Sequence, residues 1–502
     1  MTKTPFASIK TLGELKKSGY TSLNIKDEMR KNLICAMKNN RNLFEEIKGY
    51  EDSVIPQMQT AILSRHNIIF LGLRGQAKTR LARLMTRLLD EYIPVVEGSE
   101  INDDPFYPIS KYAKDLVTEK SDDTPIAWLY RDERYTEKLA TPDVSVADLI
   151  GDLDPIKAAT QKLTYADERV IHFGLVPRSN RSIFVINELP DLQPRIQVAL
   201  FNILQEGDIQ VRGFKLRLPL DIQFVFTANP EDYTNRGSIV TPLKDRIDSQ
   251  ILTHYPKAVH ISKAITGNEA VLANEQKETI YTPELIKDLV EQVAFEARQS
   301  EFIDQKSGVS ARLTISAYEN LHSTAERRML LNNEKNTTIR ISDLFGILPS
   351  ITGKVELVYE GEVEGVANVA QNLIGKAIRS RFITNYPDPE KIKRRKVENP
   401  YAEIISWFSE GNKIDLMLNS NDKEYEKALN KVPGLKDVVK RFNKNSDRKE
   451  LLLHMEFVLH GLSEFSQLSK HRLEAGLQFK DLVGSMFNFK PGESEEEDEE
   501  YL

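Results

Sequence analysis

The chain has 502 residues, 40% hydrophobic and 28% charged, with 24 glycines, 22 prolines and a net charge of −7. That composition is globular and long enough for two to four domains, and it excludes fibrous, collagen-like and wholly disordered chains. No apolar run reaches the ~18 residues a bilayer span needs, the only cysteine (Cys35) rules out an internal disulfide framework, and interspersed acids and bases recruit no nucleic acid globally. Lacking the apolar core of a secretory signal at residues 1–20, the chain is expected to be soluble and cytoplasmic.

In chain order, residues 25–39 and 42–47 read as helical patches, 54–63 as a helix and 68–71 as a short buried strand. Residues 78–91 place Leu81, Leu84, Leu88 and Leu89 on one helical face. A second strand is expected at 93–96, followed by a polar segment to about residue 147. Apolar runs at 183–186, 224–227 and 251–253 alternate with helices or turns, the pattern of a parallel sheet covered on both faces. Beyond 257 the helices 283–299, 311–330 and 366–382 are expected, with no convincing strand series. A break at 385–389 and a basic run at 391–396 precede more helical sequence from 401 to about 487. Residues 493–500 are nearly all carboxylates, a run that stays solvated.

The most informative stretch is Gly72, Leu73, Arg74, Gly75, Gln76, Ala77, Lys78 and Thr79, lying directly after a strand and opening a helix. Such a loop points backbone N–H groups and the helix dipole at phosphate oxygens. Lys78 is placed to reach the β- and γ-phosphates of ATP, and the Thr79 hydroxyl to ligate Mg²⁺. Ala77 stands where the P-loop pattern has glycine; a positive φ there would cost roughly 1–2 kcal/mol, whereas a negative φ accommodates alanine freely. The strand at 183–186 ends in Asn187 and Glu188 at the carboxyl edge of the sheet. Glu188 fits a base that polarises water; Asn187 is neutral where a metal-orienting aspartate usually sits and can serve Mg²⁺ only through water, with Asp191 close enough in sequence to compensate. Asn229, at the tip of the next strand, can hold that water.

Together these residues resemble an AAA+ ATPase of the MoxR and magnesium-chelatase I-subunit branch, over residues 40–385. GLRGQAKT is similar to Walker A, IFVINE to Walker B and TANP to sensor 1, and residues 174–180 are similar to the stretch that precedes Walker B. The resemblance implies an α/β P-loop AAA+ core at 51–257 after an N-terminal helical segment at 1–50. A helical lid at 258–385, a helical C-terminal module at 386–488 and an acidic disordered tail at 489–502 would follow. It implies that Ile47, Gly49 and Tyr50 border the adenine and that Arg246 is the trans-acting arginine, with Arg236 competing. Arg312 is placed as sensor 2. Residues 206–218 are similar to the hairpin before sensor 1, and 154–169 occupy the place of the helix-2 insert; both would face a ring pore or a partner.

The implied activity is ATP hydrolysis by a ring, a hexamer, that remodels a protein partner, by resemblance one bearing a von Willebrand factor A domain. Magnesium chelation proper is a narrower version, disfavoured by the long 98–147 segment and the extra C-terminal module. A nucleotide-gated scaffold with little turnover is the rival, motivated by Ala77 and Asn187. Binding of DNA through Arg212, Lys215 and Arg217 is the weaker reading in a chain of negative net charge. His454, His460 and the other histidines show no metal-ligand spacing and read as structural.

Overall fold

The computed structural model describes residues 8–162, 167–210, 217–229, 238–395, 398–443, 447–473 and 476–482. The chain divides into two compact units, Met1–Tyr255 and Pro256–Leu502.

The first unit is built on a five-stranded parallel sheet in the order Ser249–Leu252, Ile68–Leu71, Ile222–Ala228, Ser182–Asn187, Tyr135–Leu139. Side chains alternate across a strand, and here both sets are buried. Ile69, Leu71, Phe184, Ile186, Phe224 and Phe226 pack with Ile196 and Leu200 of the helix Pro194–Glu206. Ile68, Phe70, Ile183, Val185 and Val225 pack on the other face with Met29 and Leu33 of Ile25–Lys38 and Met58 and Ile62 of Val54–Leu63. A sheet covered on both faces requires continuous apolar strands, so the three central strands stand out in the sequence.

The segment expected to be polar up to residue 147 holds the helix Lys111–Lys120 and the strand Ile126–Tyr130. It also supplies the fifth strand of the main sheet, Tyr135–Leu139. That strand is at the edge, with one neighbour and half-buried side chains, so Thr136, Glu137 and Lys138 are tolerated in it. The strand expected at 93–96 forms as Tyr92–Val96 but pairs antiparallel with Ile126–Tyr130, outside the main sheet. Residues 42–47 make a turn instead of a helix: the Asn42 side chain accepts from the Phe44 N–H at 2.9 Å, a local bond that competes with helix. The helix expected over 78–91 is α-helical through Lys78–Leu84 and tightens to a 3₁₀ turn at Met85–Leu88, where the Thr86 hydroxyl donates to the Arg83 carbonyl at 2.9 Å. In the stretch 206–218, Asp208–Gln210 and Arg217–Pro219 pair antiparallel. Arg212, Lys215 and Arg236, and the acidic run at 493–500, lie outside the described residues.

In the second unit the helices Glu284–Ala297, Arg312–Leu331, Val366–Asn385 and Arg448–Glu464 share one hydrophobic core that runs from Ile280 to Phe479. Sequence assigned to a lid and sequence assigned to a C-terminal module therefore bury against each other. An all-helical run from 401 to 487 gives way to an antiparallel sheet of Ile414–Met417, Gly476–Lys480 and Ser469–Leu473. Ile414 and Leu416 point inward and Asp415 and Met417 outward, the period of two that marks a half-buried strand.

Buried His454 lies in this core, its Nε2 facing the Asn443 amide at 2.7 Å and its Nδ1 facing the Tyr386 hydroxyl at 3.0 Å. Desolvation pushes the imidazole down to about 4. The unfolded chain therefore takes up this proton near pH 6.5 while the folded chain resists it. Stability that is present above pH 6.5 is expected to fall as pH drops towards 4, by up to about 3 kcal/mol from this group. Thermal melts of the chain across that range check the slope, and His454→Gln flattens it.

Candidate functional site

The loop 72–79 joins the strand Ile68–Leu71 to the helix Lys78–Leu84 at the carboxyl edge of the sheet. Its entry is fixed by Gly72, whose N–H donates to the Ala228 carbonyl at 3.2 Å. A Cβ on Gly72 would lie 2.0 Å from Thr253 Oγ1 and 2.2 Å from Gln76 Oε1, so a larger residue would displace this hydrogen-bonded pair of side chains. Side chains then hold the loop carbonyls from behind. The Tyr50 hydroxyl donates to the Gln76 carbonyl at 2.9 Å and the Tyr255 hydroxyl to the Arg74 carbonyl at 2.8 Å. The Lys78 ammonium donates to the Gly72 carbonyl and, at 3.2 Å, to that of Leu73. The Thr253 hydroxyl donates to Gln76 Oε1 at 2.6 Å. With the carbonyls so engaged, the N–H groups of Gly75, Gln76, Ala77 and Thr79 donate to no protein acceptor among the described residues. A turn of unbonded amides at a helix start is an anion cradle.

Gly75 takes φ 73° and Ala77 takes φ 57°, ψ 21°. Of the two conformations considered for Ala77 the left-handed one is realised, at a cost of roughly 1–2 kcal/mol relative to glycine. Ala77→Gly is expected to stabilise the first unit by about 0.5–1 kcal/mol after the added freedom of the unfolded chain is subtracted. Urea denaturation of the two proteins checks this.

Ile47 and Tyr50 are buried within the core under the loop, and the one hydrogen of the Tyr50 hydroxyl is shared between the Gln76 carbonyl and that of His254, at 2.9 and 2.8 Å. Burial pushes its phenol up to about 12, so it remains a donor at any working pH. Its observed work is to brace the loop.

Beside the loop, Thr79 Oγ1 lies 3.4 Å from Asn187 Oδ1, and Thr227 Oγ1 donates to the same oxygen at 3.1 Å. Thr227 also receives the Glu188 N–H at 3.1 Å, while Glu188 itself adopts φ 55°. Glu188 and Asn229 thus follow the ends of two adjacent parallel strands, one residue past each. Asn229 Oδ1 is buried with no hydrogen-bond partner among the described residues. Asp191 closes the turn after Glu188 through its N–H to the Glu188 carbonyl at 2.9 Å. Asn187 Nδ2 donates to the Glu137 carboxylate. Glu137, Thr253 and Tyr255 were invisible in the sequence. Glu137 sits in a strand with no apolar signal, and the other two act through a strand whose nearness to the loop only the topology reveals.

Arg246 is tethered: Nε and Nη2 donate to Gln205 Oε1 at 3.1 and 2.8 Å, Nη1 to the Pro242 carbonyl at 2.7 Å, and the guanidinium lies 5.3 Å over the Phe201 ring. Arg312 is exposed at the first position of the helix Arg312–Leu331, in the second unit, with its N–H on the Ser310 hydroxyl at 3.1 Å.

No family model and no curated protein matches the chain. Among solved structures it is similar to NtrX from Brucella abortus at 12% identity and a TM-score of 0.34, over 57% of this chain and 54% of that one. The complex of subunits BchI and BchD of magnesium chelatase matches at 18% and 0.33, over 64% and 98%. Hsp104 with ATPγS and casein matches at 14% and 0.33, over 57% and 45%. The chain thus spans about half the length of the NtrX and Hsp104 chains. The functional reading rests on the site's own residues.

Proposed function

We propose that the first unit binds ATP with Mg²⁺ and hydrolyses it to ADP and phosphate, in the manner of the AAA+ ATPases its motifs resemble. The observation that carries this is the braced loop, with its unbonded amides, beside Lys78, Thr79 and the strand-tip residues Asn187, Glu188 and Asn229. The amides and Lys78 take phosphate oxygens. Thr79 and Asn187 turn two oxygens towards one another, a hard-donor pair suited to Mg²⁺ or its water shell. When bound, Mg²⁺ neutralises charge on the β- and γ-phosphates. Glu188 takes a proton from the attacking water, and the unpartnered Asn229 oxygen holds that water in line.

In the wider reading the chain acts as a ring, a hexamer by resemblance, in which Arg246 of one copy stabilises transferring charge in the next and Arg312 contacts the γ-phosphate. The ring then remodels a protein partner, by resemblance one with a von Willebrand factor A domain. No helix among the described residues is long and apolar enough to cross a membrane. Steady-state ATPase activity across a concentration series tests the proposal: specific activity rises with concentration and vanishes in Lys78→Ala and Arg246→Ala. Tight ATP binding without turnover at any concentration favours the second reading, a nucleotide-held scaffold, which is supported by neutral Asn187 and by Arg246 being satisfied within its own chain.

A further inference from the structure

Asn187 stands where the resemblance places an aspartate, and both ends of its amide are engaged. Oδ1 accepts from Thr227 and faces Thr79, while Nδ2 donates to Glu137 Oε1. An ionised carboxylate only accepts, so Glu137 fixes which end of the amide faces Thr79. Glu137 is three-quarters buried, its side chain 24% exposed, and is held by the Tyr135 hydroxyl at 2.9 Å and by Arg83 at 3.1 Å. Arg83 is 68% exposed, so solvent screens most of its charge. An aspartate at 187 would instead set two carboxylate oxygens face to face with no hydrogen between them. The neutral Asn187 and the charged Glu137 are therefore complementary, and neither is an isolated departure from the pattern.

We infer that Glu137 is a positioning residue for the metal side of the site: it orients the Asn187 oxygen towards Thr79 and returns, from the neighbouring strand, the negative charge that position 187 lacks. The inference rests on the nucleotide reading above and concerns the part of the site that a divalent cation would use. Oriented through one intervening amide, Glu137 acts as an outer partner of that cation, a type of residue whose loss typically weakens metal affinity by about 10- to 100-fold.

The test is binding of the non-hydrolysable analogue AMP-PNP to the full chain at a series of Mg²⁺ concentrations, with thermal melting in the absence of nucleotide as the control for folding. Glu137→Gln is expected to raise the Mg²⁺ concentration for half-maximal binding by about tenfold or more. Asn187→Asp alone is expected to do the same, because it opposes Glu137. The double variant Asn187→Asp/Glu137→Gln keeps one charge and one amide in exchanged places, and returns the midpoint towards wild type. A Glu137→Gln protein that melts normally with an unchanged Mg²⁺ midpoint overturns the inference alone, as does Asn187→Asp with a lowered midpoint. If Glu137→Gln fails to fold, the double variant decides, and a raised midpoint there overturns it. A wild-type chain that binds no AMP-PNP removes the nucleotide reading and this inference together.

Discussion

Glu188→Gln is expected to leave ATP bound and to lower turnover by about two to four orders of magnitude. The substitution keeps the shape and removes only the ability to accept a proton. The backbone that presents this side chain is unaffected: the Glu188 N–H remains on the Thr227 hydroxyl, and φ 55° is a property of the turn that follows the strand. Phosphate contacts belong to the loop 72–79 and Lys78, so affinity is retained. Single-turnover hydrolysis and equilibrium ATP binding, measured on the same preparation, separate the two effects. A variant that loses both equally places Glu188 in binding and sinks the base assignment.

Glu456→Ala is expected to cost the second unit about 3 kcal/mol or more. Its carboxylate is wholly buried and accepts from the Ile341 N–H at 2.9 Å, the Ser342 N–H at 3.0 Å and the Tyr425 hydroxyl at 2.7 Å. These donors come from segments that are far apart in sequence, and removing the acceptor leaves Tyr425 only the longer contact to the Leu452 carbonyl at 3.4 Å and orphans the two backbone N–H groups in a dry interior, where each unmet group costs roughly 1–3 kcal/mol. Against a typical total of about 5–15 kcal/mol for a folded domain, one such residue decides much of the margin. Chemical denaturation measures it; a loss below about 1 kcal/mol would mean that water reaches the vacated space and satisfies the donors.

What was legible in the sequence follows from burial. The strands Ile68–Leu71, Ser182–Asn187 and Ile222–Ala228 are covered on both faces and carry unbroken apolar runs, and the polar residues at their tips point to a site. The helices Glu284–Ala297 and Arg312–Leu331 announce themselves by periodicity. Tyr135–Leu139 does not, because an edge strand meets solvent and is chosen for what it touches at its end of the sheet. The Ala77 backbone is not legible because alanine is compatible with either sign of φ, and only the geometry of the turn selects the strained one. Ser469–Leu473 and Gly476–Lys480 are short and partly polar, and Gly476–Lys480 also pairs with Ile414–Met417, over fifty residues earlier, so their sheet is specified by tertiary packing more than by local preference.

The bracing of the loop has a consequence for how the chain is made. Thr253 and Tyr255, which set the shape of residues 72–76, follow it by some 180 residues. A nascent chain has synthesised the whole glycine loop, with Tyr50 and Lys78, long before these two later supports exist, and contacts of such separation form late in folding. Competence of the loop is therefore a checkpoint for completion of the entire sheet: fragments released from the first unit one at a time from the carboxyl end should lose the cradle as soon as the segment 253–255 is missing, although every residue of the loop is still present.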